Sequence, residues 1–320
     1  MSLDHYVSQV HLKNFYPADP PHLLYAIRKS DLHHFRCNSQ SVCRIEEGST
    51  NSYLTEHRAI EEFLKGVEPA YNRALDKLRR KDIDQESIYA VAGFVAYVNT
   101  CSPAAMRIHS GPLRAQIESA AKILDEQGVF GKAPPELGSK SMTELLDEGA
   151  VQFTVDGKYP QAMGISSITY FQSLFGNSMW EVLHNEEADS PFLTSDFPAA
   201  IERDENPIVN RIVPLAPDLA VRIIPDYRLR GTKPDLSFPH LRVRHRRLKH
   251  TDVVNLNRLI VRSAEDTVFS NCGHEWVAGF VRKNRGYRIE AVVDRVPVNG
   301  GTANIASQWI RPHVWSKERP

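Results

Sequence analysis

His5 and Gln9 stand near the start of the chain in "DHYVSQVHLKNF", set among aromatic and aliphatic neighbours. On a strand the two share a face, and on a helix they are also neighbours. Either geometry lets an amide orient an imidazole toward a metal or a substrate. The competing role is structural: His5 and Tyr6 tie the N-terminus to the body, their polar tips bonded to backbone. His11 falls on no definite face and stays unassigned. A second candidate is Asp196 in "TSDFP", where Asp before X-Pro at a strand-to-turn boundary projects a carboxylate from a rigid end. That carboxylate suits a divalent cation or general-base work, although Ser-Asp-x-Pro is also ordinary turn chemistry, in which the side chains cap nearby N–H groups.

The sharpest charge feature is "HLRVRHRRLKH", with Arg242, Arg244, Arg246, Arg247 and Lys249 alongside His240, His245 and His250. Its alternation suits a strand with one basic face, which would neutralise phosphates along a nucleic acid. A solvated edge strand guarded by charge accounts for it equally well, and aromatic interleaving is missing. Other motifs fall away. "VNGGTAN" reads as a hairpin-like turn without the GKS or GKT of a phosphate loop, and "GNSMW" lacks the GxSxG elbow. "CGHEW" contains no HExxH, and its Cys272–His274 pair has no third group to orient it. Asn255 and Asn257 project about 200° apart on a helix, so they cannot serve one site together.

The elements that must position these residues are legible in outline. "HLLYAIR" over 22–28 reads as a strand after the turn "PADPP". From Thr55, Ile60, Phe63, Leu64, Val67, Tyr71, Leu75 and Leu78 recur at helical spacing, with Pro69 expected to restart or kink the run. Glu68, just before Pro69, then sits where an acidic residue benefits from a helix dipole. Further helices are expected over 85–99 and 103–127, the latter with Pro103 near its start, then a Gly/Pro loop over 128–140 and a helix over 160–184. Beyond these lie short β-type runs punctuated by Pro and Asp. One helix, "TDVVNLNRLIVRSAEDTVF", capped by Thr251 or Asp252, separates them. The fold class is α+β: a single domain over 1–320, mainly helical over 55–185 and mixed over 190–315.

Composition bounds the function. The chain has 320 residues, 42% hydrophobic and 24% charged, which supports a sizeable core. Acidic and basic residues balance at 39 each, so any attraction to nucleic acid must come from local clustering. Cys37, Cys43, Cys101 and Cys272 form no CxxC pair and suggest reduced thiols in a cytoplasmic protein. The N-terminus lacks the basic-then-apolar order of a signal peptide, and "IYAVAGFVAYV" is too short to span a bilayer, so no membrane partner is expected.

Taken together, "HYVSQVHLKNF", "AIEEFLKGVEPAYNRALDKL", "FLTSDFPAA", "IVPLAPDLAVRI" and "VVNLNRLIVRSAEDTVFS" resemble, in order, the motifs of domain of unknown function family 4238, including its HYVPQ and TSDNPV signatures. Three positions depart from the pattern: Ser8 replaces a proline, Phe197 replaces the asparagine of SDNP, and "TCSP" replaces RTP and its arginine. The resemblance implies site roles for Glu68 and Asn257 and no assigned activity. Combined with the chemistry, it points to a pocket formed by His5, Glu68 and Asp196. One imidazole and two carboxylates there would hold a divalent metal, Mg, Mn or Zn, with Gln9, Asn257 and the arginines Arg242, Arg244, Arg246 and Arg247 binding substrate. The expected reaction is metal-assisted hydrolysis of a phosphodiester, with residues 240–250 positioning nucleic acid. The rivals are a non-catalytic binding or regulatory module and a metal-free small-molecule enzyme.

Overall fold

The computed structural model describes residues 2–203, 209–298 and 301–315. The chain starts with β1 (Leu3–His5) and the short α1 (Gln9–Lys13), followed by β2 (Leu24–Arg28), β3 (His34–Cys37) and β4 (Arg44–Glu46). The helical half follows as α2 (Ala59–Arg80), α3 (Gln85–Cys101), α4 (Pro103–Glu126), α5 (Met142–Asp147), α6 (Lys158–Ser166) and α7 (Ile168–Gly176). The mixed half holds β5 (Met179–His184), β6 (Thr194–Ser195), β7 (Ala200–Arg203), β8 (Val209–Ala216), β9 (Leu219–Ile224) and β10 (Arg242–Arg247). It closes with α8 (His250–Ser263), β11 (Thr267–Ser270), α9 (Glu275–Asn284), β12 (Tyr287–Val298) and β13 (Gly301–Pro312). The protein is α+β, with its helices mostly in the first half of the chain.

α2 buries Ile60, Val67, Ala70, Tyr71, Ala74, Leu75 and Leu78 on one stripe. It runs unbroken through Pro69, which lies outside that stripe. Glu68 is therefore in mid-helix, and the dipole explanation does not apply to it, because that effect fades within the first turn. α3 is buried almost all round, as its continuous apolar sequence dictates. Gly93 is required there: a Cβ would stand 2.6 Å from the Val67 side chain and 2.9 Å from Gln172 Nε2, so α2, α3 and α7 pack closely only around hydrogen. In "TCSP", Cys101 ends α3, and Ser102 caps α4 by accepting the Ala105 N–H at 3.1 Å, with Pro103 in the first helical turn.

A five-stranded sheet has the order β10-β5-β9-β8-β7, with β10 parallel to β5 and the remaining pairs antiparallel. A four-stranded antiparallel sheet has the order β3-β2-β11-β6. Two ribbons, β1–β4 and β12–β13, complete the sheets among the described residues. The main core joins α2 and α3 to Trp180, Val182, Val213, Leu215, Val221 and Ile223 on the larger sheet. Two segments that the sequence pattern assigns to helix are strand. Met179–His184 pairs with strands on both sides, and Thr267–Ser270 lies between β2 and β6. Each is a short apolar run directly after a helix, and periodicity alone cannot separate such a run from its helical neighbour. Neither Thr251 nor Asp252 is the cap of α8. That position is Lys249, whose backbone N–H donates to Asp252. Of the turn in "VNGGTAN", residues 299 and 300 lie outside the described residues.

No single helix among the described residues is long and apolar enough to cross a membrane. All four cysteines are unpaired, and Cys37, Cys43 and Cys101 are buried.

Candidate functional site

His5 sits at the end of β1 opposite Arg44 of β4, and the Tyr97 hydroxyl from α3 donates to its carbonyl oxygen. Its ring Nε2 lies 3.0 Å from the Ser39 carbonyl oxygen. A carbonyl only accepts, so Nε2 carries the proton, and in the neutral ring Nδ1 holds the lone pair. Burial lowers the imidazole pKa, with the Ser39 carbonyl and the Glu68 charge pulling the other way. His5 and Gln9 share neither a strand nor a helix. They meet through Ser39, whose hydroxyl is 3.4 Å from Gln9 Oε1.

Glu68 projects from the middle of α2, and its Oε1 accepts the Ser8 hydroxyl at 2.5 Å. Half-buried, it shares with His5 an open cleft of about 560 Å³, which Asp4, Ser8, Lys65 and Tyr97 also line. Burial opposes ionisation of Asp4, but Ser2, the Ser49 N–H and Arg58 together hold its carboxyl below the usual range.

Asp196 belongs elsewhere. It is 5% exposed, and its Oδ1 accepts the Glu265 N–H at 2.9 Å while Oδ2 accepts those of Asp266 and Thr267 at 2.8 Å each. The carboxylate thus clamps the turn between α8 and β11. Burial pushes its pKa up to about 7, against the pull of the Thr267 and Asp266 N–H groups. Burial likewise brings Lys29 down to about 8, although Asp196 favours its charge. Lys29 Nζ donates to the carbonyls of Ala264 at 2.6 Å and Tyr287 at 2.8 Å. Asp196 does not line the His5–Glu68 cleft, and among the described residues no three His, Cys, Asp or Glu side chains are grouped to hold a metal ion. The expected ligand set of His5, Glu68 and Asp196 is not assembled, because three backbone amides draw Asp196 into the interior.

Asn257 is likewise spent on backbone. Its Oδ1 accepts the Leu193 N–H, and its Nδ2 donates to the Pro191 carbonyl, each at 2.9 Å. It is 1% exposed and splints the segment that leads into β6 and Asp196. The basic stretch forms edge strand β10. There Arg244 pairs with the buried Glu181, Arg246 with Asp252 at 3.2 Å and Arg247 with Glu186 at 3.2 Å. Arg242 lines a separate cavity with His240 and Arg228.

His11 is the residue that sequence reasoning does not place. It is fully buried, stacked on Phe94 at 4.6 Å, with Nδ1 2.8 Å from the Tyr71 hydroxyl and Nε2 3.0 Å from Thr194 Oγ1. The ring joins α1, α2 and β6, and burial lowers its pKa to about 3. One available signal is the spacing of four to Phe15, whose ring lies 5.4 Å away.

The chain belongs to the family described as "Protein of unknown function (DUF4238)", whose model matches residues 4–274. The match ends before α9 and the β12–β13 ribbon. No curated protein and no solved structure matches the chain.

Proposed function

We propose that the protein is a hydrolase of small molecules working in the N-terminal cleft, with His5 as general base and Glu68 receiving the substrate's hydrogen-bond donors. One observation carries this reading: a neutral imidazole, pinned through Nε2 by the Ser39 carbonyl, opens on the same cleft as a carboxylate. Hydrolysis needs a group that takes a proton from water near neutral pH, and a pinned neutral imidazole meets that need. The lowered pKa keeps His5 competent below the ordinary histidine range, so acid inactivation sets in at lower pH than for an unperturbed histidine. Asp4, Glu61 and Glu68 outnumber Lys65 on the cleft wall while Arg58 pairs with both Asp4 and Glu61, a balance that suits an uncharged or cationic substrate better than a bare phosphodiester.

A metal-assisted phosphodiesterase with nucleic acid on β10 is the weaker reading. Arg244 is already held by the buried Glu181, and Asp196 does not line the cleft with His5 and Glu68. A non-catalytic module draws support from Asp196 and Asn257, whose polar atoms are committed to backbone.

The test is turnover of a panel of small esters, amides and phosphodiesters by the purified chain, with and without EDTA. Hydrolysis that survives the chelator and falls by about 10²-fold or more in His5→Ala, with a matching loss in Glu68→Gln, is the expected result. Activity indifferent to both substitutions, or no turnover across the panel, would assign the cleft to binding alone. Activity abolished by EDTA would restore the metal-assisted reading.

A further inference from the structure

β10 is the outermost strand of its sheet, and β5 is its one strand partner among the described residues. In a parallel pair, alternate residues of an edge strand turn their N–H and C=O groups away from the sheet. Among the described residues, no backbone hydrogen bond outside the β5 pairing reaches Arg242–Arg247. Five of these six residues are exposed, so the edge is accessible among the described residues. It is an open template for a further strand.

Charge decides which strand. Arg242, Arg244, Arg246 and Arg247 lie along this edge, so a second copy of β10 would be repelled, whereas an acidic strand would be drawn in. The carboxylates now facing Arg246 and Arg247 do not block this. The Asp252 and Glu186 side chains are 31% and 66% exposed, and exposed pairs of this kind are weakly held and readily exchanged. At the start of the strand, Arg242, His240 and Arg228 line a cavity of about 490 Å³ that also includes Met179 and Ile224, giving a polar and apolar seat continuous with the edge.

We propose that β10 takes up an extended acidic segment of a partner protein as a sixth strand, with its carboxylates on Arg242 and Arg246, which share one face of the strand, and one end in the Arg242 cavity. Nucleic acid would share the electrostatics but has no use for a row of backbone amides. β10 also carries no aromatic ring of Phe, Tyr or Trp on which bases would stack.

The experiment follows a fluorescein-labelled peptide alternating Glu with Val by anisotropy, beside a Lys-Val peptide and a single-stranded oligonucleotide, together with amide hydrogen exchange on the intact chain. The Glu-Val peptide should bind in preference to both others and slow exchange at β10. Arg242→Glu combined with Arg246→Glu, both at exposed positions on the same face of the strand, should weaken it by about tenfold or more. Tighter binding of the oligonucleotide, peptide binding that leaves β10 exchange unchanged, or no binding would each overturn the proposal. Hydrogen exchange on the unaltered chain decides the matter even if the double variant folds poorly.

Discussion

Asp196 and Glu68 carry the same functional group into opposite surroundings. Asp196 is buried and receives three backbone N–H bonds, with Lys29 close enough to act on it. Glu68 is half-buried in an open cleft and receives a side-chain hydroxyl, that of Ser8. A carboxylate whose lone pairs are taken by amides of its own chain has little left for a ligand, whereas one beside solvent can exchange partners. The polar residues singled out in the sequence therefore divide into an interior lock, with His11, Asp196 and Asn257, and an open cleft, with His5 and Glu68.

The strongest way to break this division is to truncate both carboxylates. Asp196→Ala orphans three buried N–H groups and removes a charge that favours Lys29. Each orphaned donor costs about 1–3 kcal/mol, so a loss of at least about 3 kcal/mol is expected. Glu68→Ala leaves the buried Ser8 hydroxyl at the wall of an open cleft, where water entering the vacated space can replace the lost acceptor, and should cost about 1–2 kcal/mol. Urea denaturation of the two variants measures both. Equal losses would mean that the cleft is as structural as the lock.

A smaller effect comes from His11. Burial holds its imidazole at about 3, against an ordinary value of 6.5. Between those values the unfolded chain binds a proton that the folded chain refuses, so folding weakens as the solution is acidified. The contribution of neutral His11 is complete above about pH 6.5 and is lost as the pH falls toward 3, at up to about 1.4 kcal/mol per pH unit. Denaturation midpoints measured from neutral to mildly acid pH should show this slope, and His11→Gln, which does not titrate, should flatten it. An unchanged slope in the variant would place the acid sensitivity in other groups.

How much of this is legible in the sequence depends on whether a local pattern or a distant partner decides each feature. The stripe of α2, the start of α4 at Pro103 and the basic alternation of β10 are set by near neighbours, and these features follow from spacing. β5 and β11 are short apolar runs whose identity is fixed by strands far along the chain, so periodicity cannot separate them from the helices beside them. The candidate site divides in the same way. His5 and Glu68 do share a cleft, but nothing near Asp196 in sequence announces that residues 265–267 will fold back and bind its oxygens. His11 is equally hidden, since Tyr71 and Thr194, which complete its hydrogen bonds, lie 60 and 183 positions away.

The finest probe of the boundary between lock and cleft is Ser8, where the resemblance to the family's signature implies a proline. Its φ of −57° already lies within the range that a proline ring imposes, and its side chain makes no cap bond to α1. Its carbonyl still receives the N–H groups of His11 and Leu12 at 3.1 and 3.2 Å, a role proline performs equally well. Ser8→Pro therefore loses the hydroxyl bond to Glu68, a loss of about 1 kcal/mol that water in the cleft partly offsets. Against it stands about 0.4–1 kcal/mol from a less flexible unfolded chain. The net change should lie within about 1 kcal/mol of zero by thermal or urea unfolding, and the freed Glu68 should then bind cationic ligands at least as well as before. A destabilisation above about 3 kcal/mol would exceed what one hydrogen bond to a carboxylate is worth. It would show that the Ser8–Glu68 bond belongs to the interior lock, leaving His5 as the one polar signature residue that faces the cleft on terms a ligand can exploit.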